Sequence, residues 1–400
     1  AKVMVDLTTL DSDDASDADV WMRAVEEAVP RFAVAIENKQ LDYLRSAVQE
    51  HADLFVLQTG ASRKKPFKAV LSRRKILTAL EDSKDPKETW HLELDISHGN
   101  GVEELAFEPG DALGVQPEND PKEVEAILAL LQFSGESEKK YAQSQLITAD
   151  LRLSLNDLKE SEEEHVIDVV QRVRQSIPAM DIVSKLRPLQ PRFYSIASSP
   201  EYDKGTIHLC IAAVRYELMG RKRQGVASTY LIDRVPLGGI VRVWVQHNPA
   251  FRPAATALMI GPGTGVAPFR SFLRSVKPKF KNAQLYFGCR SKNIDFLYGD
   301  ELQDWANQEP ESHQLFTAFS RDQAEKVYVQ DRLRENAESV ASFLTNHKDA
   351  AVYICGEGLN MASDVKDALY AIVQEHVPGM SSRQDAEAFL KPRLHLDVWI

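Results

Sequence analysis

Cysteine is scarce in this chain. Only three occur among 400 residues, Cys210, Cys289 and Cys355, far apart and odd in number. That usage excludes a disulfide framework and a Cys-x-x-Cys metal pair, and it suits a reducing compartment such as the cytoplasm. Positive charge is also in deficit: 48 Lys and Arg against 59 Asp and Glu leave a formal net charge of −11. So acidic a surface argues against broad contact with a polyanion such as nucleic acid. Basic clusters at 63–65, 73–75 and 221–223 could still meet an acidic partner or lie on solvated faces. No apolar run reaches the ~18 residues a membrane span needs, and no signal peptide is visible. Neither internal repeats nor low-complexity tracts occur. With 44% apolar and 27% charged residues, the chain is neither disordered nor collagen-like. Its length predicts two or three domains.

The order of patterns is informative. Residues 3–7 read as a short strand, followed by an acidic loop and an amphipathic helix over about 18–29, stopped by Pro30. One strand and one helix cannot bury a core, and the chain opens at Ala1 rather than Met. A segment ahead of residue 1 is therefore expected. A further helical pattern at about 38–49 and a linker near 61–66 follow. Strands are predicted at 67–71, 90–96 and 112–116. From 120 to about 186 the apolar spacing turns helical, with Val124, Ile127, Leu128 and Leu131, then Val166, Val169, Val170 and Val173. Strands return at 192–197, 206–214 and 240–246. This is a small antiparallel β-barrel with a helical insertion. Past Pro253 the rhythm is β-α-β-α, with apolar strands at 257–260, 283–287, 314–319 and 351–355. Helices open at 263 and span about 330–334 and 361–373. That rhythm predicts a doubly wound parallel sheet.

Three motifs carry chemistry. Gly261, Gly263, Thr264 and Gly265 lie between an apolar strand and a helix. Glycines let backbone N–H groups approach a phosphate, and a helix N-terminus favours its charge; a tight turn is the plain alternative. The loop lacks the GxGxxG spacing of common NAD sites. Arg192, Tyr194 and Ser195 lie on one strand, where a guanidinium suits pyrophosphate, a phenol can stack on a flat heterocycle, and a hydroxyl can bond a ring nitrogen. An ordinary edge strand would look the same. Gly225, Val226, Ala227 and Ser228 open a helix, as a second phosphate site or a simple cap.

The runs RFYSIASS (192–199), LCIAAVRYE (209–217), GVASTYL (225–231), IGPGTGVAPFRSFL (260–273), YFGCRS (286–291), AFSRDQAEKVYVQDRL (318–333), YICGEGLNMASDV (353–365) and LDVW (396–399) occur in this order. Together they resemble the ferredoxin–NADP reductase superfamily. With the helical insertion, they resemble its diflavin reductase branch, which includes the sulfite reductase flavoprotein and cytochrome P450 reductase. The resemblance covers about 66–400. It implies a flavodoxin-like remnant at 1–32, a linker at 33–65, an FAD-binding barrel at 66–118 and 187–250, a connecting insertion at 119–186, and an NADPH-binding domain at 251–400. FAD and NADPH are the implied cofactors, with FMN expected only on a missing N-terminal flavodoxin-like domain.

The resemblance also implies roles. Arg192 and Gly225, Val226, Ala227 and Ser228 would hold the FAD pyrophosphate. Tyr194 would stack on the isoalloxazine, with Ser195 near its N5. Cys210, Ile211, Ala212 and Tyr216 would line the flavin nucleotide. Gly263, Thr264 and Gly265 would cradle the NADPH pyrophosphate. Ser320, Arg321, Lys326, Tyr328 and Gln330 would read the 2′-phosphate and adenine; an Arg, a Lys and hydroxyls suit a dianion that NAD lacks. Asp364 is a candidate near the nicotinamide-side ribose, or a helix cap. Cys355 would lie beside the nicotinamide, or simply fill the core. Asp397 would accompany it, and Trp399 would cover the flavin until nicotinamide displaces it. No metal is implied. The expected activity is NADPH-dependent reduction of FAD, with electrons passed to an FMN domain and a terminal acceptor. The sulfite reductase haemoprotein is favoured as that acceptor over a microsomal cytochrome; a non-catalytic flavin-binding docking module is the alternative.

Overall fold

The computed structural model describes residues 61–79, 87–97, 105–162, 164–218 and 220–399. The expected flavodoxin-like remnant at 1–32, and all of the linker but its last residues, lie outside the described residues.

Strands β1 (Phe67–Ile76), β2 (Thr89–Asp95) and β3 (Ala112–Val115) begin the barrel. In β1, Phe67, Ala69 and Leu71 face the core, while Lys68 and Ser72 face water, the period-two pattern of a half-buried strand. The strand runs five residues beyond the predicted end at 71. A bulge between Leu71 and Arg73 shifts the register, and Arg73, Arg74 and Lys75 then pair with β2. In the sequence these cations could lie on a solvated face or meet an acidic partner. Arg73 and Lys75 are exposed, with Arg73 Nη1 3.1 Å from Glu93 Oε1, while Arg74 is half-buried and donates to the carbonyls of Ile232 and Val235.

Helices α1 (Pro121–Leu130), α2 (Glu136–Ile147), α3 (Val166–Val173) and α4 (Ala179–Ser184) follow. Asp120 caps α1 by accepting from Lys122 N at 2.9 Å. Their apolar stripes form a separate core with Ile127, Val169, Val170 and Ile182. The barrel resumes with β4 (Arg192–Ser195), β5 (Thr206–Ala212), the hairpin β6 (Arg215–Leu218) and β7 (Arg221–Gln224), the short helix α5 (Val226–Thr229) and β8 (Ile240–Gln246). Strand β5 ends at Ala212, two residues short of the predicted end at 214, and the hairpin beyond it was not predicted. Of its basic run only Arg223 turns inward, its Nη2 2.8 Å from Asp168 Oδ2 on α3, while the exposed Arg221 pairs with the same carboxylate. The six antiparallel strands run β4-β3-β8-β1-β2-β5, and a bridge between Ile196 and Leu209 closes the ring.

The second sheet is parallel. It comprises β9 (Thr256–Ile260), β10 (Asn282–Cys289), β11 (His313–Phe319), β12 (Ala351–Glu357) and β13 (Leu394–Trp399) in the order β11-β10-β9-β12-β13. Helices α6 (Ala267–Leu273), α7 (Lys292–Asp295), α8 (Gly299–Gln308), α9 (Val329–Glu335), α10 (Ala337–Asn346), α11 (Met361–His376) and α12 (Arg383–Leu390) cover it. Every residue of β9 is buried, as a strand covered on both faces requires. The chain leaves β9 first towards β10 and later crosses back to β12. The crevice at their carboxyl ends is the switch point where doubly wound sheets bind ligands.

One apolar core joins the two sheets. It contains Ala197 and Cys210 from the barrel together with Met259, Phe269, Phe272, Tyr353 and Cys355. Each fully buried large side chain contributes about 1.5–3 kcal/mol. Beside it, the wholly buried carboxylate of Asp111 meets Arg252 Nη2 at 2.6 Å and His247 Nδ1 at 2.9 Å. It also accepts from the backbone N–H of Glu108 at 2.9 Å and Asn248 at 3.0 Å. Burial by itself would raise its pKa, but these donors hold it below the ordinary carboxylate value. A depressed folded pKa gives stability that is present above the unfolded value, about 3.9, and is lost as pH falls through the folded one. Asp111→Asn is therefore expected to cost about 3–5 kcal/mol at pH 7 and to flatten the acid limb of stability. Urea denaturation at pH 7 and pH 4 checks this; a loss under about 1 kcal/mol at pH 7 contradicts it.

Candidate active site

Ser195 ends β4, the strand at one side of the barrel sheet, and pairs with Ala112 of β3. Its Oγ donates to Asp397 Oδ2 at 2.6 Å. Asp397 sits on β13 in register with Cys355 of β12, and Cys355 Sγ donates to the same carboxylate oxygen at 3.6 Å. Three predicted residues, distant in sequence and drawn from both sheets, thus share one point. Cys355 is fully buried. Burial, then the Asp397 charge beside it, push its thiol well above the ordinary value. At neutral pH it is a neutral, polarisable S–H. A carboxylate held by two donors at the switch point can stabilise positive charge that develops next to it. Trp399, two residues on along β13, is 44% exposed, and its carbonyl accepts from Gly358 N at 2.8 Å.

On the barrel side, Arg192 is exposed, its Nη1 resting on the carbonyls of Pro191 (3.1 Å) and Gln190 (3.4 Å). Tyr194 is half-buried against the barrel core, and burial raises its phenol pKa. Ser228 Oγ accepts from Val214 N and donates to Gly225 O, each at 3.2 Å. A Cβ on Gly225 would lie 2.7 Å from Val214 Cβ, so only glycine lets the start of α5, with Val226 and Ala227, close on the β5–β6 connection. Cys210 and Ile211 alternate on β5. Ile211 enters the barrel core, whereas Cys210 enters the core shared with the parallel sheet. Burial pushes the Cys210 thiol up to about 12, against a hydrogen bond with Tyr298 that lowers it. Ala212 ends β5, and Tyr216 is exposed on the hairpin.

The glycine motif leaves β9 and forms a tight turn over Gly263–Val266 before α6; the predicted helix therefore starts four residues late. Gly263 has φ +56°, and a Cβ on Gly265 would meet Cys355 O at 2.2 Å. The loop can lie on the Cys355 carbonyl only because Gly265 has no side chain. Thr264 sits between them. Ser320, Arg321, Lys326 and Tyr328 lie on the β11–α9 connection and Gln330 in the first turn of α9, with Arg321, Lys326 and Tyr328 exposed. Ser320 N bonds Cys289 O at 2.9 Å, and Arg321 N bonds Arg290 O at 2.7 Å. Gln330 Nε2 meets Asp364 Oδ2 at 3.3 Å. Asp364 is inside the first turn of α11 and is not its cap. Glu357 does that work, accepting from the N–H of Leu359, Asn360 and Met361 at 2.7–2.9 Å.

Some neighbours escaped the sequence reading. Lys87 Nζ lies 3.9 Å from where a Cβ on Gly263 would sit; desolvation, then Arg290, lower its pKa. It stands just before β2, far from any phosphate-type motif, so no local signal marks it. Arg270 and Ser271 are buried on α6. Their signal was legible: two polar residues between Phe269 and Phe272 break an otherwise apolar helix.

Comparison with known proteins fits this geometry. A family model described as "FAD binding domain" matches residues 60–139 and 128–230. Another, "Oxidoreductase NAD-binding domain", matches 259–367. The chain is 32% identical to "NADPH oxidoreductase A" of Dictyostelium discoideum over 463 aligned residues, covering 100% of this chain and 70% of that protein. It is 35% identical to the "Sulfite reductase [NADPH] flavoprotein alpha-component" of Zymomonas mobilis subsp. mobilis, covering 93% and 65%. To the protein of that name from Mannheimia succiniciproducens it is 34% identical, covering 98% and 68%. The chain thus spans about two thirds of these relatives. Fold and site define an NADPH-dependent flavoprotein oxidoreductase module that binds FAD. The chain belongs to the diflavin reductase family through its ferredoxin–NADP reductase-like part. Among the described residues no helix is long and apolar enough to cross a membrane.

The thiol environments have a direct consequence. Burial raises the pKa of Cys289 as well as those of Cys210 and Cys355, and alkylation needs the thiolate. Native protein in iodoacetamide at pH 8 should stay unmodified at all three, while unfolded protein should react at each. Mass spectrometry reads the outcome; rapid native labelling of Cys355 contradicts the geometry.

Proposed function

We propose that this module takes a hydride from NADPH at the Ser195–Asp397–Cys355 group and delivers electrons to an FMN-bearing flavodoxin-like domain. Beyond that domain we favour the haemoprotein of sulfite reductase as terminal acceptor, the partner implied by the flavoprotein relatives' names. The convergence of Ser195 and Asp397 across two sheets carries the reading. It also weighs against a non-catalytic docking module, which would not need a carboxylate, a thiol and a hydroxyl on one point. In this reading residues 66–118 and 187–250 form the FAD barrel, 119–186 the connecting insertion and 251–400 the NADPH domain. Three widely spaced free thiols suit the reducing cytoplasm.

The residues fit the cofactors. The left-handed Gly263 leaves its backbone clear of side chains except Lys87, whose cation lies beside it, and exposed Arg192 supplies a cation on the barrel side. When bound, the nicotinamide supplies a hydride and the flavin accepts it and releases electrons singly. The protein's part is position and charge. Asp397 steadies positive charge developing at the nicotinamide, Ser195 holds a hydrogen bond at the flavin edge, and Cys355 fills the space behind with a neutral S–H. Tyr194 would offer its ring to the flavin, and Trp399 would cover it from an exposed position that lets it move aside. Cys210, Ile211, Ala212 and Tyr216 line the flavin nucleotide. Thr264 holds the NADPH pyrophosphate; Ser320, Arg321, Lys326, Tyr328 and Gln330 read the adenine end, with Asp364 orienting Gln330.

Arg321 and Lys326 make the test. Without the 2′-phosphate both lose a charge-assisted contact, each worth ~1.5–3 kcal/mol, so kcat/KM for NADPH should exceed that for NADH by about a hundredfold or more. Anaerobic bleaching of the yellow FAD by each nucleotide measures this, and comparable values contradict the assignment. With an FMN-loaded flavodoxin-like domain added, electrons should reach the haemoprotein; no transfer under those conditions rules out the acceptor.

A further inference from the structure

The site depends on two sheets keeping one spacing, and one buried cation lies where that spacing is set. Arg270 on α6 is only 6% exposed. Its Nη1 donates to the carbonyl of Ala197 at 2.7 Å, two residues beyond Ser195. Next to it Ser271 Oγ donates to Ser198 O at 2.6 Å. A buried guanidinium is costly unless paired. Here Glu301 Oε2 meets Nε at 2.9 Å, and the guanidinium lies 4.7 Å from the centre of the Tyr298 ring.

The surrounding hydrogen bonds follow from donor chemistry. Arginine only donates, so His208 Nδ1, 3.3 Å from Arg270 Nη1, is an acceptor. His208 therefore carries its proton on Nε2, which faces Thr206 Oγ1 at 3.1 Å. His91 Nε2 faces the Glu93 carboxylate at 3.2 Å and so donates, leaving Nδ1 to accept from Tyr298 OH at 2.9 Å. All four ring nitrogens are committed, and the His91–Glu93–His208 group is a hydrogen-bonded wall around Arg270 rather than a metal site. Tyr298 holds its place with φ +55°, an uncommon conformation for an aromatic residue.

The links close on themselves. Cys355 O supports Gly265; the turn at Gly265 runs directly into α6; Arg270 and Ser271 on α6 hold the backbone at 197–198; and Ser195 reaches Asp397, which touches Cys355. We propose that Arg270 is a positioning residue for hydride transfer, fixing Ser195 against Asp397 through the Ala197 carbonyl. The proposal rests on the reading of that group as the hydride site.

The test is a double-mutant cycle on FAD-loaded protein, read by stopped-flow flavin reduction with NADPH and by the NADP+ dissociation constant. Arg270→Lys should slow reduction by about tenfold or more, with NADP+ affinity changed by less than about threefold. In the Ser195→Ala background the same substitution should cost no more than about two- to threefold, because its target is already gone. Equal losses in both backgrounds, or a loss confined to NADP+ affinity, overturn the proposal. A Ser195→Ala protein with unchanged reduction overturns the underlying reading of the site instead. If Arg270→Lys does not retain FAD, Ser271→Ala is run through the same cycle with the same criteria.

Discussion

A single hydrogen bond, 2.6 Å from Ser195 to Asp397, is the contact that ties the two sheets together at the candidate site. Its partners come from sheets of different construction. Ser195 ends a strand of an antiparallel barrel, and Asp397 lies on the last strand of a parallel sheet. Neither sheet alone can bring a hydroxyl, a thiol and a carboxylate together. Short range is the physical constraint: a hydrogen bond weakens steeply within tenths of an ångström, so the two sheets must be held as one body.

Several independent contacts supply that rigidity. The apolar core that takes Ala197 and Cys210 from the barrel and Phe269, Tyr353 and Cys355 from the parallel sheet excludes water from the seam. Arg274 forks onto Asp203 at 2.6 and 2.9 Å and reaches Glu301 at 2.7 Å. Tyr353 OH donates to Arg252 O at 2.5 Å, while Arg252 itself holds Asp111. Asp111 O in turn accepts from Ile196 N at 2.9 Å, next to Ser195. Polar and apolar parts divide the labour. Burial supplies the free energy, and the directional bonds select one spacing among those that burial would allow.

Much of the fold was legible because its strands and helices have strong periods. The strand at 240–246 is observed with the predicted bounds, and β9 to β12 were visible as short apolar runs. The elements that went unread are those whose burial is partial or whose charges are paired within the fold. Strands β6 and β7 are mostly exposed and charged. Strand β13, Leu-His-Leu-Asp-Val-Trp, lies at the sheet edge with no residue fully buried. At the site, Ser195, Cys355 and Asp397 were named through family resemblance; nothing in their spacing along the chain shows that they meet. Lys87 and Tyr298 act across the seam, and a contact made only by tertiary packing leaves no local pattern; Arg270 left one, a charge inside an apolar helix, but not the identity of its partners.

In the proposed function Asp397 provides the charge that makes hydride transfer fast, with binding energy supplied elsewhere. The most direct measurement is single-turnover reduction of bound FAD by NADPH and by NADPH deuterated at the transferred position, in the wild-type and Asp397→Asn proteins. The account predicts that Asp397→Asn slows reduction by about tenfold or more, with a deuterium isotope effect still expressed and NADP+ affinity within about threefold of wild type. An unchanged rate of reduction, or a defect that appears only in NADP+ affinity, would contradict it.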